Sequence, residues 1–293
     1  WRADRPQKGR YREFWQCDAD VVGSKGILNE IELIQIYLDV FKNLNLPVTI
    51  KINHRKFFDS LETTLGGKNE LNRFMQLIDK NDKIGFNGVS EELKKEGLEA
   101  GLNIWNLIDE LNKKDNNGKL TGIQNSSLIN HNILNEGMND IQFVLNSHSK
   151  NANVVWDLTL ARGLSYYTGW VFEVIPDKTN TNSDFSIGSI GGGGRYDNLT
   201  EIFGLKDVSG VGISFGLDRI YDTLENFGLF PDNIVQNASV IICPIENSEL
   251  LTSIENAQHL RSNDNSATTY PETSKLKKQL DYANNMNIEF AVL

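Results

Sequence analysis

Arginine is crowded at the start of this chain and recurs at telling places further on. Residues 1–12 (WRADRPQKGRYR) hold Arg2, Arg5, Arg10 and Arg12 together with Lys8, against a single acid, Asp4. A guanidinium presents a planar fork of N–H donors that meets phosphate or carboxylate oxygens two at a time. A charge run is usually a solvated face, but arginines beside Gly9 and just ahead of a strand pattern suit phosphate contact better. A second segment, ARGLSYYTGWVFE at 161–173, sets Arg162 near the pair Tyr166 and Tyr167. Aromatic faces with hydroxyl tips can wall and hydrogen-bond a small polar molecule, although such tyrosines also occur as plain strand-edge residues. GSIGGGGRYDNL (188–199) and GVGISFGLDRI (210–220) complete the set. Taken singly, a glycine run is often a linker and a GxGxxxG-like run is poor evidence of nucleotide binding. Following an alternating strand, FSIGSI, the glycines read better as backbone passing close beneath a ligand.

Composition narrows the class. The chain has 293 residues, room for two domains, with 39% hydrophobic and 23% charged residues, an ordinary globular balance. No apolar stretch approaches the roughly 20 residues that a bilayer crossing needs, and nothing reads as a secretory leader. A net charge of −10 argues against a general nucleic-acid binder while allowing RNA contact at a local basic patch. Cys17 and Cys243 sit in no CxxC or Cys/His pattern, so they are expected to be reduced core thiols of a cytosolic protein. The Asn-X-Ser/Thr triplets at Asn125, Asn198 and Asn237 are chance matches in such a protein.

The elements that must position these residues follow from periodicity. Residues 13–22 read as a strand, Ile31, Ile34, Leu38 and Phe41 mark one face of a helix, and 48–53 alternates as a half-buried strand. From 54 to 150 helical patterns at 55–65, 69–78, 98–111 and 133–147 are separated by Gly- and Asn-rich breaks, among them KKDNNGK at 113–119, and no cluster there suggests chemistry. Strands are expected at 154–159, 170–175 and 185–190, with a polar hairpin loop at 177–184. A helix is expected at 195–203, a strand at 208–215 and a helix at 217–226. After a linker at 231–237, strand and helix alternate to the last residue, the pattern of a separate parallel α/β unit.

In this order the four segments closely resemble the histidyl-tRNA synthetases, enzymes of class II architecture, over nearly the whole chain. The resemblance implies an α+β fold: an antiparallel sheet flanked by helices, a helical insertion and a C-terminal α/β anticodon-binding domain. It divides the chain into catalytic core with motif 2 (1–53), helical insertion (54–150), core with the histidine motifs and motif 3 (151–231), and an incomplete anticodon-binding domain (238–293). Arg2 matches the motif 2 arginine that grips the α-phosphate of ATP, with Asp4 standing where the family has Glu. The loop RPQKGRYRE implies Arg10 near the terminal phosphates and Gln7 and Lys8 facing the acceptor end of tRNA. Gln16 and Asp20 match positions that contact histidine, and their spacing of four puts both on one face of a strand. RGLSYYTG follows the family's RGLDYYTG, Ser165 replacing an acid; it implies Arg162 beside the reacting α-phosphate and Tyr166 and Tyr167 against the imidazole. The glycine segment is the implied floor of the histidine pocket, with Arg195 and Asp197 bracing the helix that follows. Arg219, in motif 3, would stack on adenine and reach the γ-phosphate, preceded by Asp218 where class II enzymes usually carry Glu.

The implied function is ATP-dependent ligation of L-histidine to its tRNA through a histidyl-adenylate. Mg²⁺ would bridge the phosphates and no residue of the chain would form a metal site. The resemblance also implies a cytoplasmic homodimer with no membrane contact. A catalytically inactive paralogue that senses histidine or tRNA is the alternative, such as the regulatory subunit of ATP phosphoribosyltransferase or a stress-kinase domain. A generic α+β nucleotide-binding protein is a third. Motif 1 and a final C-terminal helix are expected outside residues 1–293, which would leave this stretch alone inactive and poorly soluble.

Overall fold

Leu33, Ile34, Tyr37 and Phe41 recur at three- and four-residue steps, and in the computed structural model of the chain they form the buried stripe of α1 (Leu28–Asn43). The structure describes residues 1–3, 5–6, 9–151, 153–162, 166–177, 187–202, 204–231 and 238–293. The stripe lies on a six-stranded sheet: β1 (Gln16–Val22), β2 (Val48–His54), β3 (Val154–Trp156), β4 (Trp170–Pro176), β5 (Gly191–Arg195) and β6 (Gly210–Gly216), in the order β1-β6-β5-β4-β2-β3. Every neighbouring pair is antiparallel except β2 and β3. Tyr37 and Phe41 pack their rings on Phe215 of β6 at 4.8 and 5.8 Å. The buried Tyr37 hydroxyl donates to backbone carbonyls of β5 and β6, at Gly192 (2.9 Å) and Ser214 (3.1 Å). One helix thus pins two adjacent interior strands of the sheet, β5 and β6.

Several elements differ from the sequence reading. Of the strand expected at 185–190, residues 185 and 186 lie outside the described residues and 187–190 are not strand; the strand is the glycine run that follows, β5, and Gly188 at φ +73° precedes it. The helix expected at 195–203 shrinks to α9 (Leu199–Ile202), because Arg195 ends a strand and turns back to α1, where it pairs with buried Glu30 at 2.5 Å. Arg195 therefore braces the helix before it rather than the one after. Asp197 accepts from the Thr168 and Ser209 hydroxyls. The first strand begins at Gln16, and Trp15 just before it is exposed. Cys17 is exposed on β1, so only Cys243 is a core thiol.

Between β2 and β3 the described elements are all helices: α2 (Arg55–Asp59), α3 (Glu62–Leu65), α4 (Lys68–Ile78), α5 (Asn81–Lys95), α6 (Glu99–Asn112), α7 (Asn116–Gln124) and α8 (His131–Ser147). Two of these were hidden. In α5 the helix kinks at Gly85, whose φ of 69° and ψ of 176° leave helical space. In α7 the polar stretch that reads as a break is a helix start, with the Asp115 carboxylate accepting from the Gly118 backbone N–H at 2.7 Å.

The chain divides into two compact units, Trp1–Leu229 and Phe230–Leu293. α10 (Leu217–Asn226) runs directly out of β6 and closes the first. In the second, β7 (Val240–Ile242) lies between β8 (Ala267–Thr269) and β9 (Phe290–Val292), all parallel, linked through α11 (Leu250–Ser262) and α12 (Leu276–Asn285). Alternate residues of β7 face opposite sides. Ile241 packs with Cys243, Tyr270 and Ala283, while Ile242 packs with Ala257 and Ala267. No described helix is long and apolar enough to cross a membrane.

Candidate active site

Four glycines of β5 and β6, Gly193, Gly194, Gly210 and Gly212, lie where a side chain meets a neighbour closer than 3.0 Å. A Cβ on Gly193 would stand 2.2 Å from the Gly212 carbonyl oxygen, and one on Gly194 would stand 2.4 Å from the Trp170 carbonyl and 2.7 Å from the Tyr167 ring. Their absence lets Tyr167 rest directly on the strand and opens a floor above it. Over that floor is a cavity of about 570 Å³. Arg2, Arg10, Gln16, Arg162, Tyr166, Tyr167 and Arg219, which lie far apart in sequence, all line it. Gln7 and Lys8 lie outside the described residues, as do Asp4 and Ser165.

Most of these side chains are held by a nameable contact. The basic loop folds back on itself through Arg2 N–H to the Arg12 carbonyl (2.9 Å), and Arg2 stacks its guanidinium over Phe14, 4.9 Å from the ring centre. Gly9, at φ +72°, lets the turn press against Ile187, where a Cβ would meet Cγ1 at 2.5 Å. Its carbonyl accepts from Arg219 Nε at 2.6 Å, and Arg219 Nη1 donates to the Ser189 carbonyl at 2.6 Å. Arg219 therefore ties the basic loop to the residues that lead into β5. Asp218 accepts from the Trp15 backbone N–H at 2.8 Å and so fixes the entry to β1.

On β1, Gln16 accepts from Arg2 at 3.3 Å and donates to the Ser214 hydroxyl at 2.6 Å. Asp20, four residues along, does not border the cavity; it accepts from the Tyr196 hydroxyl and lies against Gly212, where a Cβ would meet its Oδ1 at 1.8 Å. The rings of Tyr166 and Tyr167 meet with centroids 4.2 Å apart, tilted by 48°. Burial first, then the neighbouring Tyr166 hydroxyl, raises the Tyr167 pKa, so its hydroxyl stays protonated and able to donate.

The cavity is electropositive by construction. Burial, followed by the Arg10, Arg162 and Arg2 guanidinia, pushes the Arg219 pKa below its ordinary value. Like charges converging on one space lower each other's stability unless an anion enters between them. Arg162 is matched from within, Nη1 donating to Glu173 of β4 at 2.6 Å. Burial raises the Glu173 pKa, against the opposing pull of Arg162 and Lys51. Lys51, opposite Glu173 on β2, pairs with Asp157 at 2.8 Å. Burial pulls the Lys51 ammonium down, yet the Asp157 carboxylate outweighs it and holds the pKa above its usual value.

Glu173, Ser189 and Ser214 fall inside the segments 161–173, 188–199 and 210–220, but no role is read for them there; their signal is an acid or hydroxyl among apolar residues and glycines. Among the described residues no group of three or more His, Cys, Asp or Glu side chains is placed to hold a metal ion.

The family model for histidyl-tRNA synthetase matches residues 1–220, which contain the whole of this cavity. The chain belongs to the histidyl-tRNA synthetase family. A "Histidine--tRNA ligase" of Christiangramia forsetii is 44% identical over 299 residues, covering 100% of this chain and 64% of the relative. The chain thus spans somewhat less than two thirds of that histidyl-tRNA synthetase's length. The crystal structure of histidyl-tRNA synthetase from Nostoc sp. PCC 7120 superposes with a TM-score of 0.76 at 28% identity, over 96% of this chain and 67% of that one. An ATP phosphoribosyltransferase regulatory subunit/histidyl-tRNA synthetase from Bacillus halodurans reaches a TM-score of 0.68 at 20% identity, over 95% and 68%, and shares the fold. The antiparallel sheet with flanking helices is accordingly the class II synthetase sheet of the histidyl-tRNA synthetases.

Proposed function

We propose that this chain carries the adenylate-forming site of a histidine–tRNA ligase. The observation that supports it most is the convergence of Arg2, Arg10, Arg162 and Arg219 on one cavity that also holds a tyrosine pair and Gln16. A triphosphate is the kind of anion that four guanidinia require, and a flat ring with two nitrogens suits a wall of tyrosine hydroxyls and an amide. In the proposed reaction a histidine carboxylate oxygen bonds to the α-phosphorus of ATP as the bond to the pyrophosphate oxygen breaks, in line. Arg2 and Arg162 stabilise the charge that builds on the α-phosphoryl oxygens, and Arg10 and Arg219 hold the leaving pyrophosphate. Gln16, Tyr166 and Tyr167 select histidine from the cavity wall, and Asp20, which does not itself border the cavity, joins them when the substrate is bound. Mg²⁺ bound to the triphosphate would supply further neutralisation of its charge.

The terminal ribose hydroxyl of the tRNA then takes the histidyl group and AMP leaves, with Gln7 and Lys8 of the basic loop at the acceptor end. In this reading residues 1–53 and 151–231 are the catalytic core, 54–150 an insertion within it, and 238–293 the anticodon-binding domain of a cytoplasmic homodimer. The sensing alternative is less well supported, because Arg2, Arg162 and Arg219 are all retained and all face the cavity. ATP–pyrophosphate exchange, run on the protein at the full length of its relatives with each of the twenty amino acids, tests the reading. Exchange dependent on histidine is expected. No exchange with any of them, despite measurable histidine binding, would favour the sensor instead.

A further inference from the structure

Arg162 is held from two sides, and one of them is the helical segment. Its Nη1 donates to Glu173 of the sheet, its Nη2 donates to Asp82 in the first turn of α5, and its Nε lies 3.7 Å from Asp79 at the end of α4. Arg162 and Glu173 border both the large cavity and a void of about 10 Å³ behind them, while Asp79 and Asp82 border only the void. The guanidinium is thus a partition. Its front belongs to the cavity and its rear is gripped by carboxylates that arrive from 80 residues away in sequence.

We propose that Asp82, assisted by Asp79, is a positioning residue for the adenylation step: it fixes the Arg162 guanidinium from behind. This inference rests on the proposed function. A guanidinium has five N–H groups. With Glu173 and Asp82 each taking one, each terminal nitrogen keeps a second N–H for an oxyanion in front. An arginine stem left to itself samples many rotamers, and a half-exposed Arg162 with only Glu173 as partner could swing about the Nη1 contact. The second grip removes that freedom before the transition state forms, which is how a charge-stabilising donor gains most. Because Arg162, Asp79 and Asp82 are each roughly half exposed, the pairs contribute little to stability, so their value is geometric.

The test is a mutant cycle in histidine-dependent pyrophosphate exchange, on the protein at the full length of its relatives. Asp82→Asn keeps the shape and removes the charge. It should lower kcat by about tenfold, with KM for histidine and for ATP each within about threefold, the mark of an interaction felt mainly in the transition state. Asp79→Asn should have a smaller effect, in keeping with its longer contact, and Asp82→Glu should recover part of the loss. In an Arg162→Ala background Asp82→Asn should do nothing further, since its only route to the reaction has gone. The melting temperatures of Asp82→Asn and wild type should agree. Wild-type exchange with Asp82→Asn equally active, or with the two substitutions multiplying, would overturn the inference and leave the function standing. A rise in kcat would overturn it too, showing the carboxylate to be a competitor for the guanidinium. A wild-type protein without histidine-dependent exchange would remove the function itself, and this inference with it.

Discussion

Two glycines on neighbouring strands should answer the same substitution in different currencies, one in stability and one in substrate recognition. At Gly193 an added Cβ would stand 2.2 Å from the Gly212 carbonyl oxygen and 2.8 Å from Ile213 Cα. Both are backbone in the β5–β6 ladder, and neither can retreat without opening the sheet. Overpacking of this kind costs about 3 kcal/mol, the upper end of the usual range. At about 2–4 °C per kcal/mol for a unit of this size, Gly193→Ala should lower Tm by about 6–12 °C. At Gly212 the obstacle is different. The Cβ would meet Asp20 Oδ1 at 1.8 Å and Cγ at 2.5 Å, the far end of an exposed side chain, with backbone no nearer than the Ala19 carbonyl at 3.2 Å.

Rotating Asp20 away relieves that contact but takes its carboxylate off the Tyr196 hydroxyl and out of register with the site. Loss of one charged hydrogen bond to substrate is worth about 1.5–3 kcal/mol. Gly212→Ala should therefore raise the histidine KM about 10–100-fold while Tm moves by only a few degrees and the ATP KM stays put. Exchange kinetics with each substrate varied in turn, beside thermal melts of both variants, read this directly. If Gly212→Ala melts as far below wild type as Gly193→Ala with its histidine KM unchanged, Asp20 is no part of histidine recognition and the reasoning fails.

Arg162→Ala should lower exchange about 10²–10³-fold with little change in Tm, as for the loss of one preorganised charge-stabilising donor; Arg162→Lys should restore little, because an ammonium lacks the fork. Wild-type rates in the alanine variant would sink that assignment. Phenylalanine and leucine should support exchange at least about 10⁴-fold less well than histidine, since they leave the pocket's polar groups unpaired, and rates within tenfold of histidine would show the pocket misassigned. His54, buried against Trp170, is pushed down to about 4 from its ordinary 6.5 by burial first and then by the Lys56 and Arg195 charges. The unfolded chain takes up that proton more readily, so this stabilisation is complete above pH 6.5 and is lost as pH falls towards 4. It amounts to about 3 kcal/mol. Urea titrations from pH 7 to 4 should show a shallower acid loss in His54→Gln than in wild type, and equal slopes would refute the account.

What could be read from the sequence divides along physical lines. Helices with an apolar stripe, such as α1 and α8, announce themselves through spacing, and β4 through its run of aromatic and β-branched residues. β5 could not, because four glycines have no strand propensity of their own. They are extended because β4 and β6 hydrogen-bond to them from both sides. The kink at Gly85 and the polar opening at Asp115 hid two helices for a similar reason: local signals of breakage were outweighed by buried residues further along, Val89 and Leu93 in α5 and Ile123 in α7. In the site, the arginines were legible by type and company. Their partners were not, since Glu173, Asp79 and Asp82 are ordinary acids until the fold carries them to Arg162.

The pairing of β1 with β6 has a consequence in time. Gln16 finds its partner at Gly216, so β1 must wait while about 200 residues are added, about 10–40 s at ordinary elongation rates. The helices of 55–147 close through short-range contacts and can settle during that interval, whereas the long loop between β1 and β6 defers their ladder. Until then the edge of β1 that β6 covers has no partner, and a nascent chain is open to mispairing at that edge. The wall of the cavity made by Gln16 and Ser214 is therefore the last to be built, and a ribosome-bound chain that ends before β6 carries arginines without a pocket to aim them at.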